Sequence, residues 1–147
     1  MLRGFSSSLI LFLLLVEILC PASSFGRALP NNEEEMVVQA VKNFLDAEVR
    51  QDYRAVYDSF APSSLYARTH TYEEYKKEAL TVEDRVSSYD IVRVTYIMDN
   101  EDYTSWSQIE KFSQVEVEVT FLNIPTKRHY TLNIGFIFFK ERGKWFK

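Results

Sequence analysis

The chain has 147 residues and a formal net charge of −4, which leaves room for one domain with the apolar and charged fractions of a globular protein. Acidic and basic residues are interspersed, apart from Glu33, Glu34 and Glu35, so the positive stripe of a nucleic-acid binder is missing and nucleic acid is excluded as a partner. With four glycines and no phosphate-binding glycine loop, nucleotide chemistry lacks its raw material as well.

Arg3 precedes an apolar run from Leu9 to Val16, extended past Glu17 by Ile18 and Leu19 and followed by the small residues Ala22, Ser23 and Ser24. A basic start, a short apolar segment and a small-residue site predict a secretory signal peptide over 1–24, cleaved after Ser24 or, as second choice, after Ala28. The run is short for a membrane span, and Glu17 interrupts it. The expected destination is the periplasm or the extracellular space. Cys20, the single cysteine, lies in this leader, so the mature domain is expected to have no disulfide. An alternative makes Cys20 a lipid-modified N-terminus, but Ile18 and Leu19 stand where such leaders carry small residues.

Residues 25–32 read as a linker. A helix follows from about Glu33 to Arg50, with Val37, Val41, Phe44 and Leu45 at spacings of three and four and three glutamates in its first turn, where they complement the helix dipole. Asp52 suits the N-cap of a second helix over 53–60, ended by Pro62 because the residue before a proline avoids helical geometry. Ser63 and Ser64 can start one further turn. Thr71-Tyr72-Glu73-Glu74 matches the capping box and opens a helix to Leu80.

Residues 82–88 read as a connector. A strand from Tyr89 to Met98 places Val92, Val94, Tyr96 and Met98 on one face and Ile91 and Ile97 on the other. A polar loop over 99–108 carries Tyr103 and Trp106. Two long strands then run between Phe112 and Phe139. Val115, Val117, Val119 and Phe121 alternate with Gln114, Glu116, Glu118 and Thr120 in the first, and Tyr130, Leu132, Ile134, Phe136 and Phe138 share a face in the second. Asn123, Pro125 and Thr126 supply the turn between them. Gly143 marks another turn, at a position suited to positive φ, and Trp145 to Lys147 begin a last strand.

Helices first and long antiparallel strands afterwards predict an α+β fold, residues 33–147, with the helices against one face of the sheet. The segment from Val41 to Ala47, continued by Gln51-Asp52-Tyr53-Arg54-Ala55-Val56-Tyr57-Asp58-Ser59-Phe60-Ala61-Pro62, resembles the opening of the nuclear transport factor 2-like superfamily, and Gly143-Lys144-Trp145 resembles a pattern in its closing strand. The resemblance implies a curved antiparallel sheet wrapped round the first helix as a cone with a pocket at its open end. Relatives include isomerases, dehydratases, transport adaptors and dimerisation modules, so the fold does not carry a function with it. The superfamily's catalytic Asp or His–Asp pair does not map onto this chain, and no catalytic residue is assigned.

Nine Tyr and eleven Phe exceed what a core of this size requires, which suits a lined pocket or an interface as well as a Phe-rich core. Tyr57, Tyr66, Tyr96 and Tyr130 are the candidate pocket residues, either orienting a ligand or bracing the core. His70 and His129 lack a second ligand at metal spacing, so no metal site and no cofactor is expected. Asp46 and Asp58 fall off the apolar stripes and default to solvent, while Asp52 is explained as a cap. Ile137 and Phe139 leave an apolar patch beside the basic Lys140, Arg142 and Lys144, on the same outer side as the acidic strand of Gln114, Glu116 and Glu118; a two-fold pairing that sets the patch against a partner's acidic strand is the expected contact of a weak homodimer.

The function expected is a secreted small-ligand or protein-binding module without evident catalysis, its partner a small apolar ligand or another protein. The alternative is an isomerase or lyase acting in the cone pocket, which requires a buried acid or base. A cystatin-like protease inhibitor shares the helix-on-sheet plan, but the Gln-x-Val-x-Gly loop of those inhibitors is absent.

Overall fold

The computed structural model describes residues 32–147; the leader read over 1–24, with Cys20, and the linker as far as residue 31 lie outside the described residues. Asn32, read as the linker's last residue, is the first residue of α1 (Asn32–Arg50). The stripe Val37, Val41, Phe44, Leu45 is buried, joined by Ala47. Burying each large side chain of this stripe is worth roughly 1.5–3 kcal/mol, which seats the helix on the sheet.

Three short helices follow, each started by a side-chain cap. Asp52 accepts from the Ala55 N–H at 3.1 Å to open α2 (Tyr53–Asp58). Ser64 accepts from the Ala67 N–H at 3.2 Å to open α3 (Leu65–Thr69). The capping box forms at α4 (Tyr72–Ala79): the Thr71 N–H donates to Glu74 Oε2 at 2.7 Å, and the Glu74 N–H donates to Thr71 Oγ1 at 3.3 Å. Thr71→Ala is expected to cost about 1 kcal/mol by the loss of the capping acceptor. A urea-unfolding midpoint identical to that of the wild type would show that the cap contributes nothing.

The sheet is antiparallel in the order β1 (Asp84–Asp99), β2 (Lys111–Asn123), β3 (Arg128–Glu141), β4 (Lys144–Phe146). On β2, Ser113, Val115, Val117 and Val119 are buried against the helices, while Glu116 and Glu118 lie on the outer face, as the alternation requires. Phe138 of β3 and Trp145 of β4 complete the core beneath α1. The β3–β4 turn has Arg142 and Gly143 both at positive φ, 51° and 74°, the two-residue hairpin geometry whose twist matches its strands.

β1 departs from its expected pattern. It begins at Asp84, because Asp84, Arg85 and Val86 extend the ladder opposite Asn123, Leu122 and Phe121. Its register with β2 slips between Val86 and Ser88, between Ile91 and Arg93, and between Val94 and Tyr96. Each bulge inserts one residue and reverses the faces that follow, so Ile91, Val94 and Ile97 pack on the core while Val92, Tyr96 and Met98 are exposed. Bulges bend a strand and increase its twist, and three of them in one strand curve the sheet round α1.

Charged groups fasten the start of α1. Lys111 and Lys140 face each other in the β2–β3 register, an arrangement that repels by itself. Glu33 lies between them, accepting from Lys111 Nζ at 2.9 Å and from Lys140 Nζ, and hydrogen bonds from Lys140 and then Lys111 hold its carboxyl below the usual range.

On the outer face, Phe112 and Phe139 are register partners. Trp106, from the loop between β1 and β2, stacks on Phe139 with centroids 6.2 Å apart and meets Phe112 edge-on at 6.0 Å. Asn100 holds that loop closed: its side chain donates to the Trp106 and Ile109 carbonyls and accepts from the Asp102 N–H, each at 2.9 Å. Phe139 is thus half-buried beneath its own chain, and Ile137 is half-buried opposite Gln114.

Candidate functional site

The C-terminal half of α1 does not fill the end of the sheet it crosses. A cavity of about 380 Å³ remains between α1, the short helices, the start of β1, the end of β2 and Phe136 of β3. Its floor is Leu45, Val86 and Val119, and its aromatic walls are Phe44, Tyr53, Tyr66, Tyr75, Phe121 and Phe136. Polar groups enter at Glu48, Gln51, Glu78, Asp84 and Arg85. The volume lies within the range of small-molecule sites, and the mixture of an apolar wall with few polar groups is typical of them.

Most of those polar groups are already engaged. The Tyr66 hydroxyl donates to Glu78 Oε2 at 2.8 Å, and Glu78 Oε1 stands 3.7 Å from His70 Nε2. The His70 ring stacks on the Tyr66 ring, centroids 4.1 Å apart and nearly parallel. Arg85 donates to Gln51 Oε1 at 2.8 Å, and Asp84 accepts from Asn123 Nδ2 at 2.8 Å. Burial first, then the Glu78 hydrogen bond, pushes the Tyr66 phenol up to about 12.

Glu48 is the exception. Half-buried on α1, it has no side-chain hydrogen bond or ion pair to any described residue. Burial raises its carboxyl above the usual range, and its charge adds to the burial that drives the Tyr75 phenol upward. A partly desolvated carboxylate that no described residue pairs is the group of this cavity whose charge is least compensated.

Of the four tyrosines expected in the pocket, the structure places one there, Tyr66. Tyr57 lies behind the wall: its hydroxyl donates to the His70 carbonyl at 2.7 Å, and its ring packs on Phe60, Tyr72 and Tyr75, so it braces α2 against α4. Tyr96 is 36% exposed, turned outward by the bulge after Val94. Tyr130 is 40% exposed and stacks on the outside of the wall residue Phe121, centroids 5.4 Å apart. Its position in β3 lies beyond the helical cover, so a shared sheet face did not bring it to the cavity.

Sequence reasoning missed Tyr53, Tyr75 and Glu48. Glu48 did carry a signal: it stands four residues after Phe44 and three after Leu45, so it continues the buried stripe of α1 with an acid. The carboxylates that were weighed have ordinary roles. Asp46 accepts from the Tyr89 hydroxyl at 2.7 Å, Asp52 caps α2, and Asp58 pairs with Arg54 at 3.0 Å on the surface. Among the described residues no cluster of His, Cys, Asp and Glu could hold a metal ion, and no helix is long and apolar enough to cross a membrane.

The fold and the cavity define an α+β domain, helices on one face of a curved antiparallel sheet, with a ligand-sized site at one end. No known protein-family profile and no curated protein matches the chain. Among solved structures, a ketosteroid isomerase-like protein from Erwinia carotovora atroseptica SCRI1043 is similar, with a TM-score of 0.49 and 20% identity, over 78% of this chain and 90% of that one.

Proposed function

We propose that the protein is an exported binding module of the nuclear transport factor 2-like type that holds one small, largely apolar ligand in the cavity between α1, α4 and the sheet. The observation that carries this reading is the cavity itself: about 380 Å³ of aromatic and aliphatic wall in a domain this small, at the end of α1 that the sheet leaves open. Export rests on the leader read over 1–24.

A second reading is favoured by one group, Glu48. A carboxylate with no partner among the described residues and a raised pKa, beside an apolar cavity, suits proton abstraction, so an isomerase or lyase acting on a small carbonyl compound is the alternative.

A panel of small hydrophobic carbonyl compounds, followed by protein NMR shifts and by turnover, tests both. Ala79 lines the cavity on α4, and Ala79→Trp places a large side chain in it. Under the binding reading, ligands perturb the amides of residues 44–53 and 75–86, and Ala79→Trp weakens that binding at least tenfold while the fold persists by circular dichroism. Turnover that disappears in Glu48→Gln establishes the enzyme instead. A panel without binding or turnover ends both readings.

A further inference from the structure

Resting on the ligand-binding reading above, we infer that the ligand is an organic cation, its ammonium group set against Glu48 and the tyrosine rings and its apolar body filling the rest of the cavity. Three acids, Glu48, Glu78 and Asp84, face the cavity against one base, Arg85. Glu78 is committed to Tyr66 and His70, and Asp84 to Asn123. Arg85 donates to the neutral Gln51 and forms no ion pair with Glu48. Lys147, whose ammonium stands 5.4 Å from the Phe136 ring, is not part of the wall. Glu48 is therefore the cavity's one charge with no counter-charge and no hydrogen bond among the described residues.

The chemistry of the guest follows from what each class would meet there. A neutral apolar guest would strip the remaining water from Glu48 and give nothing back. An anion would add a like charge to a wall that already carries excess negative charge. A cation neutralises the carboxylate in a low-dielectric setting, where such attraction is strongest. The tyrosine and phenylalanine faces add to this, because the ring quadrupole attracts cations, and a desolvated ammonium gains more than an exposed one. Tyr53 and Tyr75 line the cavity together with Glu48, and the field of Glu48 already reaches the Tyr75 hydroxyl. Primary, methylated and quaternary ammonium groups share this recognition chemistry, so the class is defined by charge and an apolar body, not by one headgroup.

Three probes that share a benzyl group decide the matter: benzyltrimethylammonium, its uncharged carbon isostere neopentylbenzene, and the anion phenylacetate, each titrated into the wild-type protein and Glu48→Gln with NMR detection. The cation is expected to bind the wild type at least about tenfold more tightly than the isostere. Glu48→Gln should remove that preference, weakening the cation while neopentylbenzene binds no more weakly than before, because the charge that its binding would desolvate is gone. Equal binding of cation and isostere overturns the cation inference while leaving the binding reading intact, and so does a preference that survives Glu48→Gln. No binding by any probe defeats both. If Glu48→Gln does not fold, the wild-type comparison of the two isosteres still decides.

Discussion

Phe44→Ala is expected to destabilise the protein by about 3–5 kcal/mol, the range for removing a buried aromatic side chain. Phe44 is 6% exposed and meets two rings of β3 edge-on, Phe136 at 5.9 Å and Phe138 at 6.3 Å. It is the side chain through which α1 grips the third strand. Its loss forfeits the transfer free energy of the ring and two edge-to-face contacts, each worth about 0.5–1.5 kcal/mol beyond area burial. The cost should fall at the upper end, because the vacated space opens into the existing cavity and the surroundings have that much less reason to collapse. Natural domains have about 5–15 kcal/mol in total, so a large share of the stability is at stake. Phe44→Leu, which keeps most of the volume, serves as the control and should lose markedly less. Urea unfolding followed through the buried Trp145 measures both, and a Phe44→Ala loss below about 1 kcal/mol would mean that α1 is not held by this contact.

The second large effect is expected at Glu141. This residue is 2% exposed at the end of β3, and its carboxylate accepts the Ser63 N–H at 3.1 Å. The same loop is tied to the chain end by two backbone bonds, Ala61 N–H to the Lys147 carbonyl at 3.0 Å and Lys147 N–H to the Ser59 carbonyl at 2.7 Å. Glu141 is therefore the side-chain lash between the α2–α3 connection and the sheet. Glu141→Ala leaves the Ser63 N–H without its acceptor, which costs about 1–3 kcal/mol, and leaves a void as well. The neighbouring Arg142, 3.9 Å away and largely exposed, adds little to the balance. Glu141→Gln retains both the shape and a neutral acceptor, so it should recover most of the loss. Hydrogen exchange supplies the local readout: the Ser63 amide should lose protection in Glu141→Ala and keep it in Glu141→Gln. Unchanged protection in both variants would show that the bond is not formed in solution.

Both residues also bear on the cavity. Phe44 is part of its wall, and the loop that Glu141 secures leads into α3, which carries Tyr66. The site is built from parts that hold the fold, so its variants need a folding control.

The amino-acid sequence by itself determined the features that depend on near neighbours. The buried stripe of α1, the Asp52 and Thr71 caps, the alternation along β2 and the Gly143 turn all stand in the structure where local spacing put them. Each is decided within about one turn of helix or a few residues of strand, by side-chain periodicity or by a hydrogen bond to the adjacent backbone. The tertiary structure alone decided the rest. The faces of β1 depend on three bulges, and a bulge is a property of two paired strands, so no alternation within residues 84–99 could reveal that Tyr96 turns outward while Val94 turns in. The burial of Phe139 depends on Trp106 folding back across the sheet, which the Asn100 side chain arranges from within the loop. The cavity depends on where the cover of α1 runs out. It gathers Glu48 from the first helix, Tyr66 and Tyr75 from the third and fourth, and Phe121 from a strand more than seventy residues after Glu48. An acid within an apolar stripe was visible in the sequence; that it lines a cavity where no described residue pairs it was decided only by the packing of helices against a curved sheet.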